Sequence, residues 1–170
     1  MERNNIILIG MPGVGKSTIG VILAKVLGYQ FIDADLLIQK EEGKLLKDII
    51  REKGTDGFIE VENRVNSHIE ASRSVIATGG SVVYGAEAME HLKEIGVVVY
   101  LKQNLWHLEK RLRNIKGRGV VLRDGQTLTD LYEERTALYE KYADITVDEH
   151  GLNIEETLEA VQQALEEYRK

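Results

Sequence analysis

Short apolar runs alternate along the chain with segments in which apolar residues recur every three or four positions. The first pattern is typical of buried strands and the second of helices. The expected strands are 5–9, 30–33, 75–77, 97–101 and 145–147, and the expected helices are 17–27, 36–40, 45–51, 58–69, 86–94, 104–113, 129–142 and a last one from 153. This alternation predicts an α/β fold, a three-layer α/β/α arrangement around a five-stranded parallel sheet.

Local signals mark several ends of these elements. Gly96 is expected to end the helix over 86–94 as a C-terminal cap. Asn104 can cap the next helix, and Asn153 with Glu156 forms the pattern of a capping box. Trp106, within the helix over 104–113, is expected to pack against the rest of the protein.

A glycine-rich segment, Gly10-Met11-Pro12-Gly13-Val14-Gly15-Lys16-Ser17, joins the first strand to the first helix. Its spacing and both flanks match the phosphate-binding loop, in which backbone N–H groups, a lysine and the helix dipole hold phosphates while a hydroxyl binds magnesium. A glycine-rich turn with an incidental lysine is the alternative, and it requires both flanks to match by coincidence. The loop predicts binding of a nucleoside triphosphate by Gly13, Val14, Gly15, Lys16, Ser17 and Thr18.

Composition limits the class of protein. The 170 residues, with 43% hydrophobic and 29% charged residues and Pro12 as the one proline, predict a single domain over 1–170. A net charge of −6 disfavours a nucleic-acid partner, and the lack of cysteine excludes disulfides and thiolate chemistry. No apolar run is long enough to span a membrane, and the first strand follows Asn4 directly without room for a signal peptide, so we expect a cytoplasmic protein.

Two groups of polar residues fall where a parallel sheet places its active residues. Asp33, Asp35, Gly79 and Gly80 follow the second and third strands, beside the phosphate loop. The basic, glycine-containing segment 114–126 fits a lid that closes over an anion, and a solvated surface loop is the alternative.

Taken together, these motifs resemble those of the shikimate kinase family of small P-loop kinases over nearly the whole chain. The resemblance rests on Gly-x4-Gly-Lys-Ser at 10–17, Asp33-x-Asp35, Phe58-x3-Glu62, Gly79-Gly80, Arg118, and Arg135-x3-Tyr139 followed by Ala143-Asp144. It implies ATP as co-substrate, magnesium, a small hydroxylated acceptor, most simply shikimate, and a monomer.

The resemblance also implies roles for individual residues. Lys16, Asp35 and Arg118 would be catalytic, with Asp35 orienting the acceptor hydroxyl and Arg118 closing from the lid onto the phosphate. Ser17 and Asp33 would hold magnesium. Arg111 and Arg118 would join the nucleotide site, and 34–70 would supply the acceptor-binding helices. The acceptor positions would be Asp35, Ile59, Gly79, Gly80, Ser81 and Arg135.

Two of these positions depart from the family. Ile59 replaces the arginine that helps to hold the shikimate carboxylate, and loss of such a buried partner typically costs about 2–5 kcal/mol. Ser81 replaces the third glycine of a Gly-Gly-Gly run, so the backbone loses freedom there. There are therefore two alternatives: a kinase for a different hydroxylic acceptor, and a nucleotide-binding module that has lost turnover.

Spacing alone leaves other interpretations open for three side chains. Asp33 and Asp35 could be helix caps after a strand. Arg135 could form a surface ion pair with Glu133, Glu134 or Asp130 on its own helix.

Overall fold

A five-stranded sheet forms the centre of the protein, whose computed structural model describes residues 3–113 and 125–170. The strands are β1 (Asn5–Ile9), β2 (Gln30–Asp33), β3 (Ser74–Ala77), β4 (Gly96–Lys102) and β5 (Ile145–Asp148). Their order is β2-β3-β1-β4-β5, and every pairing is parallel. All residues of β1 and β3 are buried although successive side chains point to opposite faces, so the sheet is covered on both faces.

Within the described residues, seven α-helices surround this sheet. They are α1 (Lys16–Leu27), α2 (Ala34–Glu42), α3 (Leu46–Ser67), α4 (Ala86–Ile95), α5 (Leu105–Arg113), α6 (Leu128–Tyr142) and α7 (Ile154–Arg169). A short 3₁₀ turn, Val82–Tyr84, follows β3. The α/β class and the five parallel strands predicted from sequence are confirmed. None of the described helices combines the length and apolarity needed to cross a membrane.

Helix α3 differs from the sequence prediction because it joins two expected helices. The junction is Gly54, whose φ of 72° and ψ of 179° break the helical path. Only glycine adopts such a conformation readily, so the chain changes direction there without an intervening loop.

Two further local predictions have different outcomes. Gly96 ends α4 as predicted, since its N–H donates to the Leu92 carbonyl oxygen, but its φ of −163° is extended rather than left-handed, and a Cβ there would lie 2.6 Å from the Asn5 carbonyl oxygen. The prediction for Trp106 is wrong. Trp106 is 61% exposed, since it lies on the outer face of α5 with Lys110 Nζ 4.7 Å from its ring centre. The predicted caps at Asn104 and Asn153 are confirmed.

The strand order decides which loops meet. Because β3 lies between β1 and β2 and all three are parallel, the segments that follow these strands converge at the carboxyl ends of the strands, which form one edge of the sheet. Helices α2 and α3 close this edge from outside. They pack through a separate apolar cluster formed by Ile38, Ile49, Phe58, Val61 and Val65.

Candidate active site

The loop between β1 and α1 has the backbone of an anion-binding site. Gly10, Gly13 and Gly15 have φ values of 148°, 88° and 92°, a region that disfavours other residues. Lys16, only 7% exposed, donates from Nζ to the carbonyl oxygens of Gly10 at 2.6 Å and Met11 at 2.9 Å. No acidic residue lies in the first turn of α1, so its positive end faces the loop uncompensated by helix carboxylates.

A cavity opens beside this loop. It brings together residues from widely separated parts of the sequence, most of them predicted site residues. Its lining consists of Pro12, Gly13, Gly15, Lys16, Ser17, Asp35, Leu46, Phe58, Glu62, Thr78, Gly79, Gly80, Ser81 and Arg135.

The two aspartates after β2 have different positions. Asp33 caps α2, since its Oδ1 accepts from the backbone N–H groups of Asp35 at 2.9 Å and Leu36 at 3.3 Å. The alternative interpretation of Asp33 as a cap is therefore confirmed. Asp35 lines the cavity instead, and a Cβ placed on Gly79 would lie 2.7 Å from its Oδ1. Only glycine fits at position 79 without displacing this carboxylate.

Arg135 is a buried cation at the opposite wall. It is 1% exposed, so the alternative interpretation as a surface ion pair on α6 is wrong. Its Nη1 would lie 2.9 Å from a Cβ on Gly80, and its guanidinium is 5.5 Å from the ring centre of Tyr84. Tyr139, one turn later, donates from its hydroxyl to the Gly80 carbonyl oxygen at 2.6 Å, which fixes this backbone beside Arg135. A buried guanidinium next to a glycine backbone is suited to hold a carboxylate.

Glu62 adds a buried carboxyl group to the same cavity. It is 1% exposed, and its Oε1 accepts from the Ser81 hydroxyl at 2.5 Å. Burial raises the pKa of Glu62 to about 8, and the negative charge of Asp35 adds to the rise. The Ser81 hydrogen bond and the positive charges of Arg135 and Lys16 act in the opposite direction and lower the pKa, but burial outweighs them. Its place in the Phe58-x3-Glu62 motif was the one indication of this residue in the sequence.

Ser81 itself has an ordinary backbone, with φ of −94° and ψ of 1°. Any residue adopts this conformation, so a serine in place of the glycine introduces no backbone strain here. Its hydroxyl is turned towards Glu62.

Ile59 lies one turn before Glu62 on α3, and it is half-buried against the apolar cluster between α2 and α3. It is not among the described residues that line the cavity. Position 59 and position 62 are nevertheless neighbours on the helix surface, since residues three apart face the same side.

A second cavity also borders the phosphate loop. Arg111 on α5 donates from Nη1 to the Gly13 carbonyl oxygen at 2.9 Å and lies 3.6 Å from Glu149 Oε1. Burial raises the pKa of Glu149 to about 7, against the opposing charges of Arg111 and Lys16. The lining residues are Gly13, Val14, Gly15, Thr18, Ile19, Arg111, Glu149, Leu152, Asn153, Ile154 and Thr157.

Arg111 could be identified from the sequence, whereas the side of this second cavity next to α7 could not. The position of Glu149 directly after the last strand was the one sequence signal for a site residue there. Arg118 and nearly all of the expected lid, 114–124, lie outside the described residues. Among the described residues, no group of three or more His, Asp or Glu side chains could hold a metal ion by itself.

Comparisons with known proteins agree with this geometry. The sequence model of one family, shikimate kinase, matches residues 12–166. A shikimate kinase of Persephonella marina is 38% identical over 148 residues, 86% of this chain and 90% of that protein. One from Clostridium botulinum strain 657 is 39% identical over 170 residues, covering 97% and 98%.

Solved structures give the same result. The structure of shikimate kinase from Acinetobacter baumannii in complex with shikimate superposes with a TM-score of 0.85 at 31% identity, covering 96% of this chain and 93% of that one. Shikimate kinase from Aquifex aeolicus superposes with a TM-score of 0.78 at 33% identity, covering 95% and 96%. The chain therefore belongs to the shikimate kinase family, whose members are ATP-dependent kinases that phosphorylate an alcohol group.

Proposed function

We propose that this chain transfers the γ-phosphoryl group of ATP to a hydroxyl of shikimate, forming shikimate 3-phosphate and ADP. One observation carries the proposal: a buried cation, Arg135, shares a single cavity with the Asp35 carboxylate and with Lys16 of the phosphate loop. An acceptor that bears a carboxylate and hydroxyl groups matches Arg135 and Asp35, and the phosphates of ATP match Lys16.

The nucleotide occupies the phosphate loop in this proposal. Backbone N–H groups of the loop and Lys16 hold the β- and γ-phosphates, in the manner of other P-loop enzymes. The second cavity, next to Arg111, receives the nucleoside. Support for this comes from the Arg111 side chain, which contacts the loop backbone at Gly13.

The acceptor occupies the first cavity. Its carboxylate pairs with the Arg135 guanidinium beside Gly80, and its reacting hydroxyl lies against Asp35. The hydroxyl oxygen attacks the γ-phosphorus, the bond to the bridging oxygen of ADP breaks, and Asp35 accepts the hydroxyl proton. Burial of this cavity limits competition by water.

Ser17 and Asp33 are the proposed magnesium ligands. A hydroxyl and a carboxylate are oxygen donors of the kind that Mg²⁺ prefers, and Asp33 uses only Oδ1 for its two capping bonds. When bound, the ion would neutralise negative charge on the phosphates during transfer. We also propose that 34–70 supplies the acceptor-binding helices. The segment 114–126, with Arg118, would close as a lid over the transferred phosphate.

Both cavities are built from one chain, so a monomer suffices, and the partners we infer are small molecules. The net charge of −6 disfavours nucleic acid. Because ATP is the co-substrate, we expect a cytoplasmic enzyme.

The test is ADP release by the purified protein with shikimate and with a panel of other polyols and hydroxy acids. We expect turnover with shikimate well above background ATPase activity, and loss of it in Lys16→Ala. A second candidate, a kinase of the same build with another hydroxylic acceptor, is favoured by Ile59, which supplies no cation. Turnover with another compound but not with shikimate would establish that candidate instead.

A further inference from the structure

The Glu62 carboxyl group is unusual in the acceptor cavity because only half of it is satisfied. Oε1 accepts from Ser81, whereas Oε2 has no hydrogen-bond partner in the described part of the chain. Glu62 lines the cavity together with Gly79 and Asp35, and its Oε2 faces these two residues: the position of a Cβ on Gly79 would lie 2.7 Å from Oε2 and 2.7 Å from Asp35 Oδ1. A buried polar atom without a partner costs free energy unless a ligand satisfies it.

The charges around Glu62 come from three helices. Asp35 on α2 disfavours its ionisation, while Arg135 on α6 and Lys16 on α1 favour it, as does the Ser81 hydrogen bond. Burial outweighs these opposing effects, and the pKa of about 8 means that the carboxyl holds a proton at neutral pH. Since the Ser81 O–H occupies Oε1, that proton belongs on Oε2, which makes Oε2 a donor on the side of the carboxyl that faces the cavity residues Gly79 and Asp35.

Ile59 makes this protonation significant. It lies one turn away on the same helix and supplies no cation, so nothing on that helix surface compensates an ionised Glu62. An ionised Glu62 beside Asp35 would place two negative charges against an anionic acceptor.

We propose that Glu62 is a specificity-determining residue of the acceptor site, whose Oε2–H group donates a hydrogen bond to an oxygen of the bound acceptor. This inference rests on the proposed function. Acceptor binding is then linked to the proton on Glu62, and the acceptor leaves more readily once that proton is lost. The nucleotide, bound at the phosphate loop, does not share this dependence.

The size of the effect follows from the fraction of protein in the binding-competent form. With a pKa of about 8, this fraction falls about tenfold between about pH 7 and about pH 9. The KM for shikimate should therefore rise about tenfold over this range if only the protonated form binds.

The experiment measures the KM for shikimate across this pH range at saturating Mg·ATP in four proteins. The wild type should show the rise. In Glu62→Gln, which cannot ionise, the KM should not follow pH, whatever its value at neutral pH. In Ser81→Ala, which loses a bond that favours the ionised form, the midpoint of the rise should move to higher pH. Glu60→Gln, the matched control, makes the same change at an exposed position of the same helix outside both cavities and should keep the rise.

Two results would overturn the inference: a flat KM in the wild type, or the same rise in Glu62→Gln. A purely structural role for Glu62 predicts a higher KM in Glu62→Gln with an unchanged pH profile. If shikimate gives no turnover at any pH, the proposed function fails instead, and the same series is run with the acceptor found active in the panel.

Discussion

Replacing Glu62 by glutamine should stabilise the protein, and increasingly so as the pH rises. The ordinary pKa of a glutamate is 4.5, and that of Glu62 in the folded protein is about 8. Between these values the unfolded chain releases a proton that the folded protein keeps, so the free energy of unfolding falls as the pH increases. Each unit of pH in this window costs about 1.4 kcal/mol, and the loss ends above the folded pKa. Glutamine keeps the shape and does not titrate.

Between about pH 6 and about pH 8, the free energy of unfolding of the wild type should fall by about 2 kcal/mol because of Glu62. The Gln variant avoids this loss. In thermal unfolding of a chain of this size it corresponds to about 4–8 °C. Urea unfolding of both proteins at the two pH values measures the effect as a double difference, which cancels the pH dependence of all other groups. Glu60→Gln, on the same helix but exposed, is the control and should behave like the wild type. A gap between Glu62→Gln and wild type that is equal at both pH values would refute the reasoning.

Four substitutions test the remaining parts of the site and the fold. Lys16→Ala should lower kcat at least about a hundredfold, because it removes the buried cation of the phosphate loop; a kcat within tenfold of wild type in the ADP-release assay would contradict this. Asp35→Asn should lower kcat by about a hundredfold or more while calorimetry finds Mg·ATP binding unchanged, and retained activity would show that the acceptor site is misassigned. Ile59→Arg should lower the KM for shikimate, because the new guanidinium compensates an ionised Glu62 and itself offers a positive charge to the acceptor carboxylate, so an unchanged or higher KM counts against it. Gly54→Ala should cost about 1–3 kcal/mol in urea unfolding, since φ there is 72° with open space around the residue, and no loss would mean that the helix re-forms without strain.

Most of the fold could be predicted because its signals are local. Strand β1 is a continuous apolar run, and the Asn153–Glu156 pair gives the start of α7 from two positions three apart. Gly54 and Gly96 were harder, since a glycine can serve a left-handed turn, a helix break or a close backbone approach. Which of these holds depends on neighbours distant in sequence, such as Asn5 against Gly96.

The site residues divide in the same way, into those with a local signal in the sequence and those whose position depends on tertiary packing. The phosphate loop is contiguous in sequence, so its geometry follows from eight residues. Asp35, Gly79 and Gly80 could be placed by the rule that active residues follow parallel strands. The burial of Arg135 could not, because helical spacing offered surface carboxylates as partners and only the packing of α6 on the sheet removes the residue from solvent.

Positions 59, 62 and 81 are best understood together, although the sequence presents them as separate departures. An arginine at 59 would lie beside Glu62 and stabilise its ionised form. With isoleucine there, an ionised Glu62 would be a buried charge uncompensated by its own helix, so the folded protein favours the neutral acid. A serine at 81 then supplies a hydrogen bond to one carboxyl oxygen, which a glycine could not do, and leaves the other for the acceptor. In the role that we propose for Glu62, a hydrogen bond whose donor depends on pH takes the place of the fixed positive charge that an arginine at 59 would supply.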